Sequence, residues 1–433
     1  MPVTTYVALG ALVLYAVVWV ICLNGLRVAR ARYGKKLAPS RLAALPASSV
    51  PGVSVIRPLC GLDTNMYSTL ESVMRLNYPN YEVIFALQDP KDEALPVVHM
   101  VMARHPHISA RVVINSNKVG VNPKVNNLME PFAQASHDIL WVLDATVAVA
   151  PDALGRMVDA FLGRRGDEES APLIADGERP PPSRGMVGLV HQVPTAVVYH
   201  ATWGSLIEQA YLNTTHAKMY LSINNVAIES CVVGKSCMYS RANINALSSP
   251  APSLASQNVH GLAGFGPFMA EDNMIALSIW HELGLKHAMT GDVATDFLGA
   301  LSVKDYFMRR ARWIRVRKMM TLPATSMEPF TESILASLYG AWAVHHLFGV
   351  SRLLFWVLSM GAWLATDLAV RRALATNVRH VGPPQPTSRF LLAWAARECL
   401  ALPIWLYAMA GSRVVWRGKA YRVLASGEAK RLD

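Results

Sequence analysis

Three stretches of the chain place carboxylates where chemistry could occur. Asp144 follows the apolar run ILWVL, Asp92 follows the run YEVIFAL, and Asp272 stands at the start of EDNMIALSIWH, which is typical of a helix. A carboxylate that follows a buried strand is costly to desolvate unless a cation pairs with it. Because hard cations take carboxylate oxygens, Asp144 is predicted to pair with a divalent metal ion.

The other acidic residues also have ordinary structural explanations. Asp89 precedes a proline in QDPKD, and Asp-Pro commonly opens a turn, so Asp89 or Asp92 could cap a turn or helix; for each alone this is the stronger explanation. Glu271 and Asp272 fall in a first helical turn, where acids complement the helix dipole. The functional alternative for Asp272 is a general base held at a cleft.

Polar residues in two further stretches are candidates for binding. The stretch KVGVNPKVNNLM carries Lys118 and Lys124, which would suit the phosphates of a nucleotide, or would form a polar loop before a helix. His191 is predicted to end the strand VGLVH. A single histidine is more often structural than a ligand.

A dense group of cations surrounds Trp313 in MRRARWIRVRK. This basic cluster contains Arg309, Arg310, Arg312, Arg315, Arg317 and Lys318. One interpretation is an amphipathic helix at the membrane surface that borders an active site, with some cations facing lipid headgroups. The alternative is a basic anchor beside the membrane, without a catalytic role.

Composition limits the class of protein. The chain has 433 residues, 52% hydrophobic and 16% charged, with a net charge of +11, whereas soluble domains carry about 25% charged residues. This favours one sizeable domain together with membrane segments. Five cysteines without CxxC spacing argue against a disulfide framework or a zinc site and fit a reducing compartment. Nucleic acid is not an expected partner, because the cations adjoin membrane segments.

Apolar segments are predicted at both ends. Residues 1–26 carry no charge and can span a bilayer as an N-terminal anchor, and the cations that follow place residue 27 onward in the cytosol. Residues 326–411 hold three further apolar segments, Ile334–Val350, Leu353–Thr366 and Phe390–Ala410. Three full spans would carry the basic tail 412–433 outside, so one segment is expected to be re-entrant or interfacial, and the sequence leaves open which.

The last apolar segment contains an unusual pair of charges. Arg397 and Glu398 stand next to each other within Phe390–Ala410, and Pro403 would kink the helix. The pair either compensates itself inside a spanning helix or lines a polar path, since charges within a membrane often mark function.

Between the membrane segments, residues 50–325 alternate between short β-rich runs and helical stretches. This pattern predicts an α/β domain with a mostly parallel sheet, in which ligands bind at the carboxyl ends of the strands. Residues 163–185 are rich in proline, glycine and charge and are predicted to be a disordered insertion.

Taken in order, these motifs resemble one known family. The order is KVGxNPKxNNL, a strand ending in Asp144, VGLVH, GxSCMxxR, AED and RxxRW, and the similarity extends from Gly52 to the tail segment VVWRGKAYRV. The chain is similar to the ceramide glucosyltransferases, inverting enzymes of the glycosyltransferase 2-like superfamily. The resemblance implies a GT-A (nucleotide-diphospho-sugar transferase) domain. The RxxRW motif is shared with cellulose, chitin and hyaluronan synthases.

The resemblance also implies roles for residues. Asp92 would contact the uridine of the donor, Asp144 would hold Mn²⁺ or Mg²⁺ on the diphosphate of UDP-glucose, and Asp272 would be the catalytic base. Asp144 is followed by Ala145 and Thr146, so the chain departs from an Asp-X-Asp pair.

The remaining motif residues receive binding roles from the same resemblance. Lys118, Lys124, Arg309 and Arg312 would bind the donor, while Trp313 and His191 would lie in the acceptor and substrate pocket. These residues are expected to act together at the edge of the membrane.

The expected reaction transfers glucose from UDP-glucose to the primary hydroxyl of ceramide in the bilayer, with inversion, giving β-glucosylceramide. In a eukaryote the expected location is the Golgi membrane, with the active site facing the cytosol. A lipid N-acetylglucosaminyltransferase or a polysaccharide synthase remains an alternative, although a synthase would need more membrane helices. A membrane-anchored lipid-binding or nucleic-acid-binding protein is the non-enzymatic alternative.

Overall fold

A large mixed sheet forms the centre of the molecule. The computed structural model describes residues 2–163, 186–378, 382, 385–416 and 418–432, so the predicted insertion lies outside the described residues, apart from Gly163. The strands are β1 (Val53–Pro58), β2 (Tyr81–Leu87), β3 (Ala110–Ile114), β4 (Ile139–Leu143), β5 (Val147–Ala148), β6 (Val187–Val198), β7 (Ser236–Ser240) and β8 (Lys286–Leu298).

The order of the sheet is β3-β2-β1-β4-β7-β6-β8-β5. The strands β1 to β4 are parallel, β7 is antiparallel to both β4 and β6, and β6 is parallel to β8. Every residue of β4 is buried, because hydrophobic clusters cover both faces of the sheet; this explains its unbroken apolar run. The predicted α/β domain between apolar helices is confirmed.

Helices cover the sheet and continue beyond it. They are α1 (Val3–Val28), α2 (Met66–Met74), α3 (Leu95–Arg104), α4 (Pro123–Gln134), α5 (Ala153–Phe161), α6 (Trp203–Tyr211), α7 (Ala217–Val226), α8 (Arg241–Asn245), α9 (Glu271–His281), α10 (Val303–Met320), α11 (Leu322–Met327), α12 (Ser333–Phe348), α13 (Arg352–Ala375) and α14 (Thr387–Met409). The tail forms a separate antiparallel sheet of β9 (Arg413–Trp416), β10 (Lys419–Val423) and β11 (Ala429–Leu432).

The strand that contains His191 is longer than predicted. His191 lies in the middle of β6 and not at its end, so that prediction is wrong. The strand continues through Pro194, which pairs with Ala294 of β8 after a register shift between His191 and Val193. A strand tolerates a proline next to such an irregularity, and the proline therefore did not end the strand.

Three described helices, α1 with its π-helical extension to Tyr33, α13 and α14, have the length and composition to cross a membrane. The helices α1 and α13 run in the same direction: Tyr15 bonds Ser359 at 2.7 Å, and the Trp19 ring meets Trp363 with centroids 5.1 Å apart. The 16-residue α12 precedes α13 and turns back into it at Gly349, whose φ is +70°. In this group of α1, α12 and α13, α12 therefore runs antiparallel to the other two helices.

A buried ion pair ties this group to the sheet domain. Lys218 of α7 donates to Asp367 of α13 at 2.7 Å, and the indole of Trp394 on α14 donates to the other oxygen of Asp367 at 2.9 Å. Neither charged side chain has more than 1% of its surface exposed. Because breaking a buried ion pair on one side costs about 3–5 kcal/mol, this contact fixes the membrane helices to the domain.

Candidate active site

The site is built around Asp144, which directly follows β4 at the carboxyl edge of the parallel strands. Its carboxylate accepts a bond from Lys124 Nζ at 2.8 Å and lies 3.4 Å from Lys235 Nζ. Burial disfavours its charge, but Lys124 and then Lys235 outweigh this and hold the pKa of Asp144 at about 2. Asp144 is therefore ionised and in contact with two cations.

Lys124 connects Asp144 to the helix that carries the predicted base. It stands in the first turn of α4, and its Nζ is also 3.0 Å from Glu271 and 3.1 Å from the Gly234 carbonyl. Asn122 caps α4 by accepting the Lys124 backbone N–H, and its own amide donates to Glu271 at 2.7 Å. Burial works against the charge of Lys124, but the surrounding carboxylates raise its pKa well above the usual value.

Asp272 lies in the first turn of α9 and is partly exposed. Burial, and then the charge of Glu271, raise the pKa of Asp272 to about 7, while Lys124 opposes the shift. Its carboxylate packs against Gly234 so closely that a Cβ there would collide with it. A partly exposed carboxylate with a pKa near neutral pH has the properties of a general base.

Two residues of this cluster, Lys235 and Asp296, were not predicted from the sequence. Lys235 contacts Asp296 at 3.2 Å and Thr146 at 3.3 Å, and Thr146 donates to Asp296 at 2.6 Å. Asp296 lies on β8 and is 1% exposed. The signals were present, because Lys235 belongs to GKSCMYSR and Asp296 interrupts the apolar run VATDFL.

The structure brings Arg309 to this cluster from α10. Its Nε donates to the buried Glu208 at 3.0 Å, and its guanidinium is 4.0 Å from Asp296. Burial lowers and the two carboxylates raise the pKa of Arg309, with a net upward shift. Arg309 is thus linked through Asp296 and Lys235 to Asp144.

The other residues of the RxxRW motif lie farther along α10. Arg312 donates to the Val415 carbonyl of β9 at 3.3 Å, and burial, together with Arg309, lowers its pKa to about 10. Trp313 is half-buried, with its ring 5.6 Å from the Arg309 guanidinium and 4.8 Å from that of Arg310. The motif therefore extends from the carboxylate cluster towards the tail sheet.

The cations nearer the end of α10 were expected in part to face lipid headgroups, and the structure places several of them inward. Arg315 donates to the carbonyls of Tyr407, Ala408 and Arg413, while Lys318 donates to those of Met409 and Gly411. These contacts satisfy carbonyls at the end of α14, where a helix has no acceptor partners of its own and favours cations.

The predicted donor loop is present, but its asparagines have structural partners. Asn126 accepts the Val119 N–H at 2.8 Å, and Asn127 donates to the carbonyls of Leu59 and Ala86 at 3.0 Å. Both side chains are buried. Lys118 is exposed on the same loop, whose shape the two amides hold.

Asp92 follows β2 and lies two strands from Asp144, with β1 between them. Its carboxylate accepts the backbone N–H of Gly61 at 2.9 Å and of Ala94 at 2.9 Å. It therefore fixes the loop after β1, where Gly61 adopts a φ of +68°. The structural explanation for Asp92 holds, and the residue is at the same edge of the sheet as Asp144.

His191 is fully buried and reaches the site through other residues. Its Nδ1 is 2.5 Å from the Tyr220 hydroxyl, which also accepts the Val233 N–H at 3.2 Å, next to Gly234 and Lys235. Burial, and then His287, lower the pKa of His191 to about 3, so the ring is neutral. Its contacts support the backbone turn against which Asp272 packs.

Known proteins are similar to this chain over most of its length. The model of glycosyl transferase family 21 matches residues 17–170 and 182–429. This match, together with the apolar helices, identifies a membrane-associated glycosyltransferase. The chain belongs to glycosyl transferase family 21.

Two curated relatives are similar over most of their length. A ceramide glucosyltransferase of Komagataella phaffii is 32% identical over 98% of this chain and 92% of its own. Another of Candida albicans is 29% identical over 86% of each chain. Among solved structures, a mannosyltransferase from Pyrobaculum calidifontis, in complex with GDP-Man and Mn²⁺, is 16% identical and has a TM-score of 0.44, with 90% of this chain and 98% of that chain covered.

Gly234 provides a direct test of the geometry around Asp272. In Gly234→Ala the new Cβ must displace the Asp272 carboxylate, and a displacement of 1 Å in an active site can cost roughly 100-fold in rate. We expect kcat to fall by about this factor in variant protein whose native folding is verified by thermal unfolding.

The matched control is Gly361→Ala, because nothing lies within 4 Å of the added Cβ at that position on α13. Equal activity of the two variants would contradict a tight fit between Gly234 and a catalytic Asp272.

Proposed function

We propose that the protein transfers glucose from UDP-glucose to the primary hydroxyl of ceramide, with inversion, at the cytosolic face of the membrane. The observation that carries this proposal is the bridge from Asp144 through Lys124 to Glu271, the neighbour of the partly exposed Asp272, which supports a cationic donor site beside that carboxylate. The ceramide glucosyltransferases among the relatives support the choice of sugar and lipid.

The donor diphosphate would bind where Lys124, Lys235 and Arg309 converge. All three cations are now held by carboxylates, namely Asp144, Glu271, Asp296 and Glu208. A diphosphate offers them stronger anionic acceptors. As the bond to the sugar breaks, negative charge grows on the leaving diphosphate, and cations placed there in advance stabilise the transition state.

The residues also suit a divalent cation. Among the described residues no group of three or more His, Cys, Asp and Glu side chains could hold a metal by itself. Mg²⁺ bound with a nucleotide commonly takes only one or two protein carboxylates, plus phosphate oxygens and water. Asp144 would be that ligand for Mn²⁺ or Mg²⁺, and the ion would neutralise charge on the diphosphate.

The remaining donor contacts come from the neighbouring strand ends. Asp92 and the exposed Lys118 lie on loops at the carboxyl edge of the sheet. Asp92 would contact the uridine, and Lys118 would meet the outer part of the donor.

Asp272 would act on the acceptor. Its carboxylate takes the proton of the ceramide hydroxyl while the oxygen attacks C1 of glucose from the side opposite the diphosphate. The C1–O bond breaks, its electron pair leaves with UDP, and the new linkage is β. Removal of the proton by a positioned base contributes roughly 10²–10⁴-fold.

The acceptor would reach this base from the bilayer. Exposing a lipid chain to water costs about 0.8 kcal/mol per CH₂, so the cleft must meet the membrane. Trp313 would line the acceptor pocket, Arg312 would complete the cationic side, and His191 would support the pocket through Tyr220. The charges after α1 support a cytosolic position for this face, and in a eukaryotic cell the membrane would be that of the Golgi.

The test uses the full chain in ceramide-containing nanodiscs with UDP-glucose and Mg²⁺ or Mn²⁺. Mass spectrometry should detect glucosylceramide with the wild type and none with Asp272→Asn. Glu93→Gln is the matched control, because it also removes a carboxylate, from an exposed site, and it should retain activity.

Other results would replace the proposal. Product only from UDP-N-acetylglucosamine and diacylglycerol would identify a lipid N-acetylglucosaminyltransferase, and a polymer would identify a polysaccharide synthase. Lipid binding without turnover of any donor would favour the non-enzymatic alternative.

The pH dependence should report the ionisation of Asp272. The base works only when deprotonated, so kcat/KM should rise with pH and level off above about 7, the pKa of Asp272. Glu271 raises that pKa by its charge, whereas Lys124 lowers it. When kcat/KM of Glu271→Gln is measured from about pH 4 to about pH 9, the inflection of the pH profile should therefore lie at lower pH than in the wild type. An inflection that stays in place would contradict the assignment.

A further inference from the structure

The course of the chain after α13 shows on which side α14 begins. Asn377 donates to the carbonyls of Tyr33 and Lys35 at 3.1 and 3.2 Å, at the end of the α1 extension that adjoins the sheet domain. Gly382 lies against the Val198 backbone at the end of β6. The chain therefore enters α14 on the side of the sheet domain.

The chain also leaves α14 on that side. The tail sheet packs on the sheet domain: the Ala429 N–H donates to the Pro267 carbonyl at 2.8 Å, and the Ser253 N–H donates to Glu428 at 3.2 Å. A helix of 23 residues is about 35 Å long, and a spanning helix has its ends on opposite sides of a core of about 30 Å. Both ends of α14 lie on the side of the sheet domain, so α14 does not have the course of a spanning helix.

The path of α14 follows the surface of the domain. It packs along α6 and α10, where Ile404 joins Ile314 in one hydrophobic cluster. Its buried face holds Arg397, which donates to Glu398 at 2.7 Å and to Glu332 at 2.8 Å. These charged side chains point into the protein. Their contacts explain them without an ion pair inside a spanning helix and without a polar path through the membrane.

The opposite face of α14 is exposed and apolar. Leu391, Leu392, Ala395, Cys399, Leu402, Leu406 and Tyr407 lie on it. Leu392 and Leu406 have 59% and 55% of their surface exposed. The surfaces of α1 and α13 that carry Val13 and Leu358 are similarly exposed, as lipid-facing helices are. A contiguous apolar face of this size requires a cover, and the bilayer that receives α1 and α13 provides it.

We propose that α14 does not cross the membrane but lies in its plane, with its apolar face in the acyl region of the leaflet nearest the sheet domain. This inference rests on the placement of helices and does not depend on the sugar or the acceptor. Of the three C-terminal apolar segments, α14 is then the interfacial one. The helix α12 enters the bilayer from the side of the sheet domain, and α13 returns to that side. It also sets the depth of α10, and thus of Arg309, at the membrane surface.

Cysteine labelling tests the two sides. The background variant has Cys60, Cys231 and Cys399 replaced by serine. In it, Lys430→Cys reports the side on which the tail lies, and Val350→Cys reports the side of the turn between α12 and α13. A variant that retains Cys60 but not the other two reports the side of the sheet domain. In sealed vesicles a membrane-impermeant maleimide should label Lys430→Cys from the same side as Cys60, and Val350→Cys only from the other. Labelling of Lys430→Cys together with Val350→Cys would overturn the proposal.

Depth measurements distinguish an in-plane helix from a re-entrant one. Nitroxides at positions 392, 399 and 406, each on the exposed face, should give equal ratios of oxygen to nickel-chelate collision. Neighbouring positions are about 10 Å apart along the axis, so a spanning or re-entrant α14 would give a clearly higher ratio at 399. The matched control is α13, where the ratio should rise from position 353 to 361. Neither measurement requires enzymatic activity. A result that contradicts the placement of α14 therefore leaves the proposed reaction untouched, and the reaction is tested separately by product formation.

Discussion

The structure depends on one ammonium group held between two carboxylates, one directly after a strand and one at the start of a helix. Lys124 bonds Asp144, which follows β4, and Glu271, which opens α9, and so joins the sheet to the helix that carries Asp272. The group is costly to bury, and only the surrounding carboxylates keep it charged. The same bridge keeps a cation where a diphosphate would leave, and its attraction for Asp272 opposes burial and Glu271 in setting that pKa near neutrality.

The membrane helices extend this site to the lipid. The Lys218 and Asp367 pair joins α7 to α13, and Arg315 and Lys318 of α10 hold the end of α14. Much of the charge that suggested headgroup binding therefore serves to attach a lipid-facing helix to the helix that carries Arg309. Positive charge beside a membrane can act within the protein and still determine how the protein meets the bilayer.

Sequence predicted the features that depend on local pattern. A carboxylate after the buried run ILWVL marked Asp144, and the alternation of strands and helices gave the α/β class. Contacts between distant segments were not accessible: Lys235 meets Asp296 across 61 residues, and no local pattern encodes this. The stretch KVGVNPKVNNLM suggested phosphate binding, but its asparagines contact backbone groups. Asn126 accepts the N–H of Val119 in the same loop, and Asn127 donates to the carbonyls of Leu59 and Ala86. Which C-terminal segment lies at the surface depends on where both of its ends are held, and composition alone cannot show this.

Calorimetric titration of UDP into the full-length protein, with Mg²⁺, tests the central claim most directly. A charge-assisted bond is worth about 1.5–3 kcal/mol, so Lys124→Met should bind UDP about 10- to 100-fold more weakly than the wild type, with Lys91→Met as the control at an exposed lysine. Asp272→Asn should bind UDP almost as the wild type does, because the base acts on the acceptor. Unchanged affinity in Lys124→Met, with native folding verified by thermal unfolding, would contradict a donor site built on this bridge.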